Sequence, residues 1–228
     1  MEAKDRLIFA LDVASLDEAR RYLEMLSGEV GWFKVGLELF VAAGPEAARL
    51  VAGRGRLFLD LKLHDIPATV RRAAQAAASL GAAMLTVHAE GERLLSAAVE
   101  GAGGAKVLAV TLLTSTSAEE AASLFRLEAA ELVVERARMA ERSGCAGVVC
   151  SPQEAARVKA ACPQLLVVTP GIRPSWAAEP GDQRRVASPA EALRSGADYL
   201  VVGRPISRHP NPREAARRVV EEIASAAA

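Results

Sequence analysis

Eight short apolar runs alternate with longer amphipathic stretches along the whole chain. The runs fall at residues 7–11, 32–35, 57–61, 84–87, 107–112, 147–150, 165–168 and 199–202. Several are apolar without a break, as strands covered on both faces are, so the pattern predicts a parallel sheet wrapped by helices. Between the runs, Ala19, Tyr22, Leu23 and Leu26 recur at helical spacing, as do Val70, Ala73, Ala74 and Ala77, and Ala216, Val219, Val220 and Ile223. Capping pairs mark helix starts at Ser15 with Glu18, Ser151 with Glu154, Ser188 with Glu191 and Asn211 with Glu214. Pro152, Pro189 and Pro212 then fall at the first helical position of three of them.

Eight strand–helix units in 228 residues predict a single-domain (β/α)8 TIM barrel over 1–228, with little room for insertions. A doubly wound open sheet is the competing architecture. Residues 115–127 and 173–186 form the longest connections, after strands 5 and 7, and are lid candidates.

Composition narrows the classes of function. Lys and Arg together number 28, as do Asp and Glu, so no basic excess exists to hold nucleic acid or an anionic membrane. The longest charge-free stretch, 73–89, contains Gln75, Ser79, Gly81 and His88 and predicts no membrane span. The early apolar run is bracketed by Asp5 and Asp12, so no signal peptide is expected. Three cysteines without a CxxC pair suit a reducing, cytoplasmic setting. Among the cations, 23 are Arg and only 5 are Lys, which draws attention to Lys34 and Lys62 inside apolar runs. Only the amine can give up its proton near neutral pH.

In a barrel the chemistry sits where strands end. Asp12 ends strand 1, Lys34 lies in strand 2, and strand 3 runs into Asp60-Leu61-Lys62-Leu63-His64-Asp65-Ile66-Pro67. Asp60 and Lys62 share a face if Leu59 and Leu61 pack outward. Together with Asp12, Lys34 and Asp65, they predict a ring of alternating carboxylate and ammonium groups. A buried structural ion network is the competing reading, although such pairs contribute weakly to stability. Gly171 and Arg173 after strand 7, with Gly203 and Arg204 after strand 8, occupy the two loops that bind phosphate in many barrels. His64 and His88 show no metal-ligand spacing and are expected to be packed or hydrogen-bonded. A carboxylate-bound Mg²⁺ has no fixed spacing and stays open at this point. Cys150 reads as a small buried hydrophobe.

The stretch Leu57-Phe58-Leu59-Asp60-Leu61-Lys62-Leu63-His64-Asp65-Ile66-Pro67-Ala68-Thr69 closely resembles the signature of the orotidine 5′-phosphate decarboxylase family. Similarity to the bacterial form extends through Ala10-Leu11-Asp12, Phe33-Lys34-Val35-Gly36, Val87-His88-Ala89, Leu113-Thr114-Ser115, Thr169-Pro170-Gly171-Ile172-Arg173, Asp182-Gln183 and Val202-Gly203-Arg204-Pro205-Ile206. The Asp-x-Lys-x-x-Asp core also occurs in metal-dependent decarboxylases and aldolases of sugar phosphates; Thr114, Gln183 and Arg204 favour the decarboxylase of orotidine 5′-monophosphate. A non-catalytic nucleotide-binding barrel is the alternative of another class.

The resemblance implies a cofactor-independent and metal-free reaction, with Lys62, Asp60, Asp65 and Lys34 catalytic. It implies a substrate grip from Asp12, Lys34, Thr69, Thr114, Arg173, Gln183, Gly203 and Arg204. It also implies a homodimer in which Asp65 reaches the neighbour's barrel. One departure is Ala89-Glu90-Gly91-Glu92, where the family usually carries a small residue and paired glycines.

Overall fold

A computed structural model describes residues 1–177 and 185–227. All eight predicted strands form, as β1 (Leu7–Leu11), β2 (Trp32–Val35), β3 (Arg56–Leu63), β4 (Ala82–His88), β5 (Lys106–Val110), β6 (Gly147–Val149), β7 (Leu166–Thr169) and β8 (Tyr199–Val202). They close into a parallel barrel in sequence order, with β8 pairing back onto β1 through Ile8 and Val201. The open doubly wound sheet is thereby excluded.

The helices are α1 (Leu16–Leu26), α2 (Leu37–Ala43), α3 (Pro45–Ala52), α4 (Pro67–Ser79), α5 (Glu92–Gly101), α6 (Ala118–Phe125), α7 (Ala129–Arg142), α8 (Ala155–Ala161), α9 (Pro189–Arg194), α10 (Arg204–Ser207) and α11 (Pro212–Ala227). Alternation along each strand sorts side chains between two cores. Ile8, Trp32, Phe58, Met84, Leu108 and Val168 fill the barrel interior, while Leu7, Phe9, Leu57, Leu59 and Leu85 pack outward beneath the helices. The helix ring is drawn tight where α4 meets α5: a Cβ on Gly101 would stand 2.1 Å from the Arg71 carbonyl oxygen.

Three of the four predicted helix starts are built as read. Ser188 and Glu191 form a complete capping box, and Asn211 Oδ1 accepts from Glu214 N–H. Ser15 accepts from Glu18 N–H, while the Glu18 carboxylate accepts from Ala14 N–H. The fourth differs. Helix α8 begins at Ala155, after a turn that contains Pro152. Ser151 Oγ accepts from Gln153 N–H, and the Glu154 carboxylate is drawn away to an ion pair with Arg185. Residues 115–127 are likewise no bare loop, since a capping box of Ser117 with Glu120 starts α6 within them.

Candidate active site

A cavity of about 600 Å³ opens at the C-terminal end of the barrel. Its β1–β3 side carries Asp12, Lys34, Asp60 and Lys62; its β7–β8 side carries Gly171, Arg173, Gly203, Arg204 and Arg208. Thr114 lines it after β5.

The β3 alternation places the two reactive groups as read. Leu59 is buried in the outer core and Leu61 packs against it, so Asp60 and Lys62 face the mouth. Lys62 Nζ lies 3.0 Å from both Asp60 oxygens. Lys34 Nζ bridges Asp12 Oδ1 at 3.0 Å and Asp60 Oδ2 at 3.5 Å. Four charges therefore alternate in one continuous row, of which Lys34 and Asp60 are buried and Asp12 faces solvent.

Electrostatics keeps the buried members ionised. Burial alone would raise the Asp60 carboxyl, but the ammonium groups of Lys34 and Lys62, with a hydrogen bond from Thr86, hold it below the ordinary aspartate value. Burial alone would likewise lower the Lys34 ammonium; the carboxylates of Asp60 and Asp12 outweigh this and hold it above the ordinary lysine value. Gly36 makes room for the array. A Cβ there would lie 2.8 Å from Lys34 Nζ and 3.1 Å from Asp12 Oδ1, inside van der Waals contact.

Asp65 does not join the row in its own chain. It is exposed, and its Oδ1 accepts from Ile66 N–H at 2.6 Å. The predicted ring of five is thus four within one chain, because β3 ends at Leu63 and the turn carries Asp65 away. Thr69 sits in the first turn of α4, off the cavity, where its hydroxyl meets Arg72 at 3.5 Å. Gln183 falls outside the described residues.

His64 and His88 are partnered, as expected of them. Their rings lie 5.6 Å apart, and His64 Nε2 is 3.3 Å from Glu90 Oε2. Glu90 also meets Arg136 at 3.5 Å, and Arg142 binds Glu92 at 2.6 Å. The two glutamates of the departing loop therefore tie it to α7. Burial, with nearby cationic side chains, sets the His88 imidazole below its ordinary value. Among the described residues, no group of three or more His, Cys, Asp or Glu is arranged to hold a metal ion. Burial pushes the Cys150 thiol up, which suits packing and not nucleophilic use.

Sequence reasoning missed three features. Thr86 touches both Asp60 and Lys62, yet reads as an ordinary β-former inside an apolar run. Arg208 joins the guanidinium wall from the end of α10. Arg185 pairs with the buried Glu154 and donates to the Leu113 carbonyl at 2.8 Å, linking the connections that follow β5, β6 and β7.

Comparison with known proteins supplies the remaining finding. The family described as "Orotidine 5'-phosphate decarboxylase / HUMPS family" matches residues 5–219. A curated protein of Anaeromyxobacter sp. (strain K), named orotidine 5′-phosphate decarboxylase, is 51% identical over 96% of this chain and 98% of its own. Another of that name, from Caulobacter sp. (strain K31), is 49% identical over 98% and 99%. A crystal structure of orotidine 5′-phosphate decarboxylase from Lactobacillus acidophilus is similar at a TM-score of 0.83 and 37% identity, covering 95% of this chain and 98% of that one.

Proposed function

The chain belongs to the orotidine 5′-phosphate decarboxylase / HUMPS family, and on that premise we propose that it converts orotidine 5′-monophosphate to UMP and CO₂, the last step of de novo pyrimidine nucleotide synthesis. The observation that carries the reading is the row Asp12–Lys34–Asp60–Lys62 in a cavity whose far side holds Gly171, Arg173, Gly203 and Arg204.

The chemistry follows from the charges. The bond from C6 to the carboxylate breaks, and its electron pair stays on C6 as CO₂ leaves. Lys62 stabilises that charge as an ammonium and delivers a proton from Nζ to C6; the amine then regains a proton from water. Asp60, beside the substrate carboxylate, repels it, and the repulsion vanishes with CO₂. Lys34 holds Asp60 and, with Asp12, the ribose hydroxyls. Thr114 contacts the pyrimidine. Arg204, Gly203, Gln183 and Arg173 grip the phosphate, whose binding energy is then available at C6.

In this reading Asp65 and Thr69 complete the site of a second copy in a homodimer. Their positions off their own cavity, with Ile66 66% exposed between them, support that assignment. A cytoplasmic setting is part of the same reading, supported by three unpaired, buried cysteines. Among the described residues no helix is long and apolar enough to cross a membrane.

The test is the absorbance change on adding orotidine 5′-monophosphate, with and without EDTA. Equal rates of UMP formation are expected. Absence of UMP, or turnover that EDTA stops, would overturn the proposal, the second outcome pointing to a metal-dependent lyase of phosphosugars.

A further inference from the structure

Among the described residues, the Thr86 hydroxyl is the one side-chain group that bonds both ends of the Asp60–Lys62 unit. It lies on β4, fully enclosed, one step beyond the register pair Leu59↔Leu85 that brings β4 alongside Asp60. Thr86 Oγ1 donates to Asp60 Oδ1 at 2.9 Å and accepts from the backbone N–H of Lys62 at 2.9 Å. A hydroxyl has a single proton. Since Lys62 N–H already points into the oxygen, that proton is directed at Asp60.

The backbone explains why a substitute acceptor is required. Lys62 has φ +50°, a conformation that a non-glycine residue adopts at a cost of about 1–2 kcal/mol. The β3–β4 register shifts between Leu59 and Leu63, which leaves Lys62 N–H out of the regular ladder. Thr86 Oγ1 takes the place of the missing strand carbonyl. With Lys62 Nζ on both Asp60 oxygens, the contacts close a ring: hydroxyl to carboxylate, carboxylate to ammonium, and backbone amide back to hydroxyl.

We propose that Thr86 is a positioning residue for the reaction: its hydroxyl fixes the rotation of the Asp60 carboxylate and holds Lys62 in the left-handed backbone turn that aims Nζ into the cavity. The inference rests on the reading of Asp60 and Lys62 as the reacting-site pair. Thr86 itself touches no substrate in this scheme. The β-branch restricts χ1 and keeps the oxygen between its two partners.

Thr86→Val keeps the shape and removes both hydrogen bonds, whereas Thr86→Ser keeps the hydroxyl on a freer rotor. Loss of a hydrogen bond to a charged group corresponds to about a 10- to 100-fold change in rate. Thr86→Val is therefore expected to lower kcat by about that factor, with KM for orotidine 5′-monophosphate within about threefold of wild type. Thr86→Ser is expected to recover most of kcat. Exchange of the Lys62 amide proton, followed by NMR, should speed up in the Val variant and stay slow in the Ser variant. If Thr86→Val does not yield folded protein, Thr86→Ala carries the same expectations.

An unchanged kcat in Thr86→Val, or a loss shared equally by the Val and Ser variants, overturns the inference. Lys62→Ala, run beside them, separates the two levels. An active Lys62→Ala would remove the reacting pair itself, whereas an inactive Lys62→Ala beside a fully active Thr86→Val would remove only the role of Thr86.

Discussion

Replacing Lys34 with Met tests the electrostatic account most directly, because the same ammonium serves both carboxylates of the row. Its Nζ lies 3.5 Å from Asp60 Oδ2, where an effective dielectric constant of about 20 gives an attraction of roughly 5 kcal/mol. The Asp12 contact adds under about 1 kcal/mol, since that carboxylate is 57% exposed and screened by water. Against these stands the desolvation of a buried ammonium, which the apolar Met no longer incurs. Truncating one partner of a buried pair costs about 3–5 kcal/mol when the other is left alone. Asp60 is not left alone, since Lys62 and Thr86 remain on it. The expected net loss is about 2–3 kcal/mol, or a fall in Tm of about 4–12 °C for a chain of this size.

The pH dependence gives the sharper check on Lys34→Met. Asp60 has its folded pKa depressed, so its contribution is present above the unfolded carboxyl value and is lost as pH falls through the folded one. Lys34 has its folded pKa raised, so its contribution is present below the unfolded amine value and is lost as pH rises through the folded one. The deficit of the variant is therefore full between about pH 5 and about pH 10 and narrows outside that window. Thermal melts followed by circular dichroism at pH 3, 7 and 9 measure it. A fall in Tm below about 2 °C at pH 7, or a deficit that grows as pH falls from 7 to 3, would refute the reasoning.

The remaining expectations concern activity. Lys62→Ala should abolish UMP formation while leaving a cooperative melt, and a residual rate above about a thousandth of wild type would remove Lys62 as the acid. Arg204→Ala should weaken UMP binding by about 2–5 kcal/mol in calorimetry yet hardly change uridine binding; equal losses for the two ligands would take Arg204 out of the phosphate grip. Lys62→Ala and Asp65→Asn subunits, allowed to exchange until half the dimers are mixed, should restore about a quarter of wild-type activity, because each mixed dimer then holds one intact site. Full exchange by mass spectrometry without recovered activity would rule out the shared site.

The fold was legible because its signals are local. Continuous apolar runs separate strands from amphipathic helices, and β1, β2 and β8 begin and end where the runs do. Asp60 and Lys62 were legible because the two-residue strand period puts them on one face between outward-facing leucines. What escaped depends on register and on distant partners. Nothing near Thr86 in sequence says that its hydroxyl meets Asp60, since only the pairing of β3 with β4 brings them together. Gly36 looks like any residue after a strand until Lys34 and Asp12 are seen to fill the space of its Cβ. The Ser151–Glu154 pair has every local mark of a helix start. It is overruled by Arg185, which engages the Glu154 carboxylate and leaves the cap without its partner.

Charge balance in the row explains why its order matters more than its membership. Asp12, Lys34, Asp60 and Lys62 sum to zero, so the row buries an ionised Asp60 without burying a net charge. Alternation lets each buried group meet opposite charge on both sides, which is why Asp60 and Lys34 both stay charged despite burial. A ligand carboxylate brought beside Asp60 breaks that neutrality. The excess is local, because an ionised Asp60 accepts hydrogen bonds, from Lys62 and Thr86, and has no proton to donate to a second carboxylate. Binding must then draw on attraction elsewhere, and the β7–β8 side supplies it with three guanidinium groups suited to a phosphate. Loss of neutral CO₂ moves the negative charge from the carboxylate to C6, next to the Lys62 ammonium, whose proton neutralises it there; the phosphate contacts are left untouched. In the proposed reaction the array therefore works by where it lets the charge reside: beside Asp60 the charge has no partner, and at C6 it meets the Lys62 ammonium.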